Sequence, residues 1–192
     1  MRSALKKPPL ILASASPRRV ELLGLLNLKF ETIPGKTKEA HPIHLSPFET
    51  AQWNASNKAR AIAEKHPKSL VLGADTIVCL GSKIFGKPAS LSGARQMLAQ
   101  LQGKIHQVVT GVCLMKNGKK KLFAVGTLVH FRALTKAQID NYLKRIDPLD
   151  KAGAYAVQEF GHLIVERIDG SYSNVVGLPL ERLREELNSI AW

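Results

Sequence analysis

"LILASASPRRVELL", Leu10 to Leu23, carries an apolar strand straight into small hydroxyl residues and a proline, then sets two arginines in the first turn of a helix. Leu10 to Ala13 reads as the strand, Ser16 as the N-cap and Pro17 as the first residue of a helix that runs to Leu26. Arg18 and Arg19 fall where the helix macrodipole is positive, which is unfavourable by a few tenths of a kcal/mol each, so an anion is expected nearby. Ser14, Ala15 and Ser16 are small enough to let backbone N–H groups approach a ligand, and the start of the helix aims further donors the same way. Guanidinium forks match phosphate oxygens. The chain contains no G-x-x-x-x-G-K-[ST] run, so this is not a Walker loop.

Outward from that unit, strand and helix signals alternate. Lys29 to Ile33 reads as a strand. Ser46, Pro47 and Glu49 form a capping box and open a helix that reaches about Lys65. Ser69 to Leu80 is a buried strand, and after the Phe85-Gly86-Lys87-Pro88 turn a helical spacing runs from Ser90 to Gly103. Ile105 to Met115 and Leu122 to Phe131 pair as a hairpin around Asn117-Gly118, flanked by solvated lysines. A helix capped by Thr135 follows, to about Arg145, and then come a strand, a glycine-punctuated loop and a last amphipathic helix. The expectation is a mixed α/β fold in one domain, residues 1–192, with no internal repeat or linker.

Composition narrows the class. At 192 residues, 45% of them apolar and 22% charged, the chain is long enough to bury a substantial core without disulfides. No apolar run approaches the roughly 20 residues of a membrane helix, and the basic start leads only into the first strand, so a cytoplasmic protein is expected. Cys79 and Cys113 sit in apolar runs with no metal-ligand spacing, which reads as reduced core thiols. Lys and Arg outnumber Asp and Glu 28 to 15, a formal +13 that attracts polyanions, either nucleic acid or small phosphorylated molecules. Zinc-finger spacing and RNA-binding aromatic signatures are absent. A basic nucleic-acid-binding protein therefore has the charge alone in its favour.

Asp75 is the second anomaly, a carboxylate inside an apolar strand that must be paired, hydrogen-bonded or bound to a metal. Thr76 beside it offers a hydroxyl. Lys87, in a segment held extended by Pro88, lies close enough in sequence to return towards Asp75 across the Gly81-Ser82 turn. Lys58, on the long helix, reads equally as a surface residue. Gln158 ends "DPLDKAGAYAVQ" (Asp147 to Gln158) in a short extended piece, with an amide that donates and accepts at once and so suits the edge of a pyrimidine base. "GSYSNVVGLPL" (Gly170 to Leu180) reads as a loop lining a cleft. His41 and His44 have no third ligand near them and read as a solvated loop. With no Ser/His/Asp order, nucleophile elbow or dinucleotide fingerprint, phosphate chemistry with a metal and a carboxylate is the best physical reading.

The motifs "LASASPRR", "GADTIV", "GKP", "DKAGAYAVQ" and "GSYSNVVGLPL", in this order from about Leu10 to Leu187, strongly resemble the Maf family of nucleoside triphosphate pyrophosphatases, also called septum formation inhibitor proteins. The resemblance implies a mixed, elongated sheet with helices, of the kind shared with inosine triphosphate pyrophosphatases, two lobes flanking a central cleft, and often a homodimer. It implies hydrolysis of a nucleoside triphosphate to the monophosphate and pyrophosphate with a divalent cation, Mg²⁺ or Mn²⁺. By the same resemblance Asp75 is the catalytic proton acceptor, Arg18, Thr76 and Gln158 bear on substrate choice, and Ser14, Arg18, Arg19, Lys58 and Lys87 bind phosphate. The metal falls to Asp75 and Glu39. The family's pattern has two adjacent acids where this chain has Lys38-Glu39, so that segment offers one carboxylate. "KAGAYAVQ" and "GSYSNVVGLP" look like the branch acting on dTTP and UTP rather than the one acting on 7-methylguanosine triphosphate.

Overall fold

The computed structural model describes residues 9–35 and 37–189. Its centre is a mixed seven-stranded sheet. β1 (Leu10–Leu12), β2 (Phe30–Thr32) and β3 (Leu70–Leu80) run parallel, with β1 between the other two. β3, β5 (Ile105–Lys116) and β6 (Lys119–Phe131) form a long antiparallel meander that β7 (Val165–Asp169) extends, and β4 (Lys83–Phe85) turns back onto the outer edge of β3. The turn between β5 and β6 is Asn117-Gly118, both at positive φ (49° and 74°), the geometry of a two-residue hairpin. Pairing continues to Lys116↔Lys119, so the lysines that flank the turn belong to the strands themselves.

α1 (Pro17–Gly24) starts where the sequence places it but ends sooner, and Asn27, at φ 55°, turns the chain into β2. α2 (Pro47–Ala63) opens with the expected capping box: Ser46 Oγ accepts from Glu49 N, and the Glu49 carboxylate accepts from Ser46 N at 2.9 Å. α3 (Leu91–Leu101) and α4 (Lys136–Leu143) cover the far end of the sheet, and α6 (Leu180–Ser189) closes the chain. The segment read as a glycine-punctuated loop contains a short helix, α5 (Tyr172–Val176), because Ser171 caps it by accepting from Asn174 N.

Two cores lie along the long strands. Leu10, Leu12, Leu72, Leu114 and Leu183 bury one face of the first half under α1 and α6, while Ile11, Val71, Ala55 and Ala59 fill the other face under α2. The second half gathers Val78, Phe85, Leu98, Phe131, Tyr142 and Tyr155 under α3 and α4. These are the two lobes. Cys79 and Cys113 are buried free thiols, and burial pushes Cys113 up to about 11. Among the described residues no helix is long and apolar enough to cross a membrane.

Helix α2 approaches the sheet closely at two residues that lack a Cβ. A Cβ on Gly73 would lie 2.3 Å from the Ala55 carbonyl oxygen, and one on Gly111 2.3 Å from the Ala51 carbonyl carbon. The helix answers with Ala51, Ala55 and Ala59, a stripe at four-residue spacing with no exposure. Gly111→Ala should therefore destabilise the fold by about 3 kcal/mol in urea denaturation, at the upper end of overpacking costs. Gly24→Ala, where a Cβ would meet nothing within 4 Å, should be neutral or mildly stabilising.

His106 is buried in the second core between Phe131 and Tyr155. Its Nε2 lies 2.8 Å from Tyr155 Oη, and Nδ1 has no partner among the described residues. Burial, with His130 adding a little, brings its pKa down to about 4. The unfolded chain thus binds the extra proton first as pH falls, and stability drops through the window from 6.5 to about 4. The drop should be about 3 kcal/mol. His106→Leu should flatten that part of the pH–stability curve, read by urea midpoints at successive pH values.

Candidate active site

The site begins as a gap in a strand edge. β1 leaves β3 at Leu72, and β4 joins the same edge only at Val78. Leu70 N bonds Pro9 O and Leu72 O accepts from Ala13 N, so by alternation the main-chain groups of Ala74 and Thr76 also face this edge, where neither strand covers them. α1 and α2 lie on opposite faces of a sheet ordered β2-β1-β3, so the connections diverge here and leave a crevice at the carboxyl end of β1. The cleft holds about 180 Å³ and opens at its mouth to solvent. Arg18, Arg19, Glu39, Asp75, Thr76, Lys87 and Gln158 all line it, although they come from five separate parts of the chain.

On the α2 face stands Asp75, only 4% exposed. Lys58 Nζ donates to its Oδ1 at 2.6 Å and Asn54 Nδ2 to its Oδ2 at 2.9 Å. Lys58 also donates to Glu39 Oε1 at 2.8 Å, so one ammonium bridges the two carboxylates. Burial works against the Glu39 carboxylate, but the charge and hydrogen bond of Lys58, with Lys87 and Arg19 behind them, hold its pKa below the usual range. Lys87 returns to the cleft across the β3–β4 turn and stops 3.7 Å from Glu39 Oε1. Lys58 has two of its three hydrogens on carboxylates, and of the two lysines Lys87 is the one that reaches the cleft with its side chain half exposed.

Thr76, the next residue, points to the other face. There Arg19 donates from Nε to Gly177 O at 2.9 Å, from Nη1 to Ser14 Oγ at 3.4 Å and from Nη2 to Thr76 Oγ1 at 3.0 Å. Burial lowers the Arg19 pKa, and the charges of Asp75 and Glu39 pull it part of the way back. Ser14 Oγ also accepts from Ser16 N, tying down the turn before α1 where Ser16 itself makes no side-chain cap. Arg18 differs. It reaches Asp150 Oδ2 across the cleft at 3.3 Å, and Lys151 holds Asp150 Oδ1 at 2.8 Å. Asp150 is the anion that meets Arg18, whereas Arg19 is held by neutral oxygens.

Gln158 lies in a turn rather than an extended piece: Tyr155 is extended, but the chain bends at Val157. Its amide is exposed on the cleft, and among the described residues its one side-chain partner is Glu159, at 3.4 Å. His41 lines the mouth without a metal-ligand set: among the described residues no group of three His, Cys, Asp or Glu comes together.

Sequence reasoning passed over Asn54 and Lys151. Asn54 Oδ1 accepts from Ala40 N at 3.1 Å and its Nδ2 donates to Ala40 O at 3.1 Å, an arrangement that fixes which way the amide faces and leaves an N–H for Asp75. The signal was its position one helical turn before Lys58, on the same buried face of α2.

The family model described as Maf-like protein matches residues 9–190. A Bacillus cytotoxicus protein named dTTP/UTP pyrophosphatase is 48% identical over 177 residues, 92% of this chain and 93% of that one. One of the same name from Phocaeicola vulgatus is 45% identical over 99% of this chain and all of its own length. A third, from Geobacillus, is 43% identical over 95% of this chain and 98% of its own.

Asn54→Leu keeps the side-chain volume and removes both ties to Ala40. Hydrogen exchange at the Ala40 amide should accelerate at least tenfold while amides of β5 keep their protection, since one hydrogen bond of this kind is worth about 1 kcal/mol or more. Unchanged exchange at Ala40 would contradict the geometry described.

Proposed function

The chain belongs to the Maf-like protein family, and on that premise we propose that it hydrolyses dTTP and UTP to the nucleoside monophosphate and pyrophosphate. The observation that carries the reading is the meeting, in one crevice, of two carboxylates, Asp75 buried and Glu39 at the surface, with guanidinium and ammonium groups drawn from distant parts of the chain. Relatives named for this activity match nearly the whole chain.

Asp75 takes a proton from the attacking water, a role for which a fixed carboxylate at the cleft wall is suited. Lys58 and Asn54 keep it oriented. Arg19, held from three sides, directs its remaining N–H groups at the phosphates and meets the charge that builds on the departing pyrophosphate, with Lys87 opposite. Arg18 leaves Asp150 to join them, an exchange made inexpensive by the exposure of that pair. The Gln158 amide pairs with the base, and its freedom from other firm contacts leaves both hydrogen-bonding functions available.

A divalent cation, Mg²⁺ or Mn²⁺, fits the donor set. Asp75 and Glu39 face a common point, since both reach the same ammonium, and a hard cation of this kind binds through one or two carboxylates plus substrate phosphate oxygens and water. When bound it neutralises phosphate charge and polarises the scissile phosphorus. Two buried free cysteines suit a reducing compartment, and we assign the protein to the cytoplasm.

Pyrophosphate release from dTTP and UTP should require the divalent cation and stop with chelator. Asp75→Asn should lower kcat by at least about a hundredfold with cooperative unfolding retained. Turnover by this variant at the parental rate, or by the parent in excess chelator, would overturn the assignment.

A further inference from the structure

Behind Arg19 two threonine hydroxyls, Thr76 half-buried and Thr110 fully buried, lead away from the cleft. Arg19 Nη2 donates to Thr76 Oγ1, which lies 3.0 Å from Thr110 Oγ1, and Thr110 Oγ1 donates to the Asn174 carbonyl oxygen at 2.9 Å. Thr110 and Asn174 have no exposure. Asn174 is itself anchored: its N–H reaches Ser171 Oγ at 3.1 Å, and its side-chain amide donates to Val108 O and Thr127 Oγ1, each at 3.0 Å.

A hydroxyl has one hydrogen, and this decides the direction of the row. The Asn174 carbonyl has none to give, so the Thr110 hydrogen is committed to it. The hydrogen between the two threonines must then come from Thr76. Thr76 has nothing left to donate and meets Arg19, which can only donate, as an acceptor. We propose that Thr110, which does not line the cleft, is a positioning residue that acts through Thr76 to hold the Arg19 guanidinium in place for the phosphates. Resting as it does on the reading of the cleft as a triphosphate site, this inference adds what fixes its most rigid cation. Without the Thr110 oxygen, the Thr76 hydrogen loses its acceptor and the hydroxyl is free to rotate, so its lone pairs are no longer held towards Arg19.

The test compares Thr110→Val, which keeps the shape, with Thr110→Ser, which keeps the hydroxyl. Thr110→Ala against Thr110→Ser isolates the hydroxyl should the valine variant not fold. For dTTP the hydroxyl-free variants should show KM raised and binding of inorganic pyrophosphate weakened by about tenfold, the loss of one hydrogen bond's worth of positioning. Thr110→Ser should stay within about twofold of the parent, and Thr110→Val should add nothing to Thr76→Val in the double variant. Parental kinetics in the hydroxyl-free variants, an equal loss in Thr110→Ser, or additive losses in the double variant would overturn the proposal. If the parent turns over no nucleoside triphosphate, the proposed function falls, and calorimetric titration with pyrophosphate still decides the role of Thr110. A parent that neither turns over a nucleoside triphosphate nor binds pyrophosphate would overturn both.

Discussion

Helix α2 can touch the sheet only because Gly73 and Gly111 have no side chains, and the arrangement of groups around Asp75 depends on that contact. Gly111 stands opposite Asp75 in the β3–β5 register, and Gly73 precedes it by two residues on the same face. With Ala51, Ala55 and Ala59 seated on this patch, Asn54 and Lys58 are carried within hydrogen-bond reach of the Asp75 carboxylate. A buried carboxylate is tolerable only with such partners. The small residues of the helix and strands are therefore as much a part of the site as the charged ones.

The sheet also divides the work between its faces. Asp75 and Thr76 are neighbours in sequence and point opposite ways, yet both reach the cleft because the edge of β3 is open between β1 and β4. One face carries the carboxylates and Lys58, the other Arg19 and its hydroxyl support. The two arginines at the start of α1 diverge in the same way. Arg19 is fastened to Gly177, Ser14 and Thr76, whereas Arg18 rests on an exposed aspartate of the other lobe. A rigid cation and a movable one suit a ligand that must be gripped and then released. The formal +13 of the chain supplies a field that draws anions towards the protein, and the local geometry decides where they bind.

Much of this was legible in the sequence where the cue was local. Ser16-Pro17, the Ser46/Glu49 box and Asn117-Gly118 act over three or four residues, and each marks its element correctly. β4 escaped notice because three residues are too few to show a period, and α5 because five residues amid glycine and serine look like a loop. Asp75 and the arginines stood out as residues at odds with their surroundings. Their partners did not: Asn54 looks like an ordinary polar residue of a helix, Asp150 meets Arg18 across 132 positions, and Thr110 meets Asn174 across 64. Such contacts are set by the topology of the sheet, which no short window of sequence contains.

The central claim is that the open edge of β3, between the carboxylates on one face and Arg19 on the other, holds the triphosphate of a nucleotide. A crystal structure with a non-hydrolysable dUTP analogue and Mg²⁺ tests it most directly. The account predicts phosphate oxygens on Arg19 and Lys87, with Asp75 facing the α-phosphate and Arg18 drawn off Asp150. Phosphates bound outside this gap, with the Arg19 hydrogen bonds unchanged and no contact to the cleft, would contradict it.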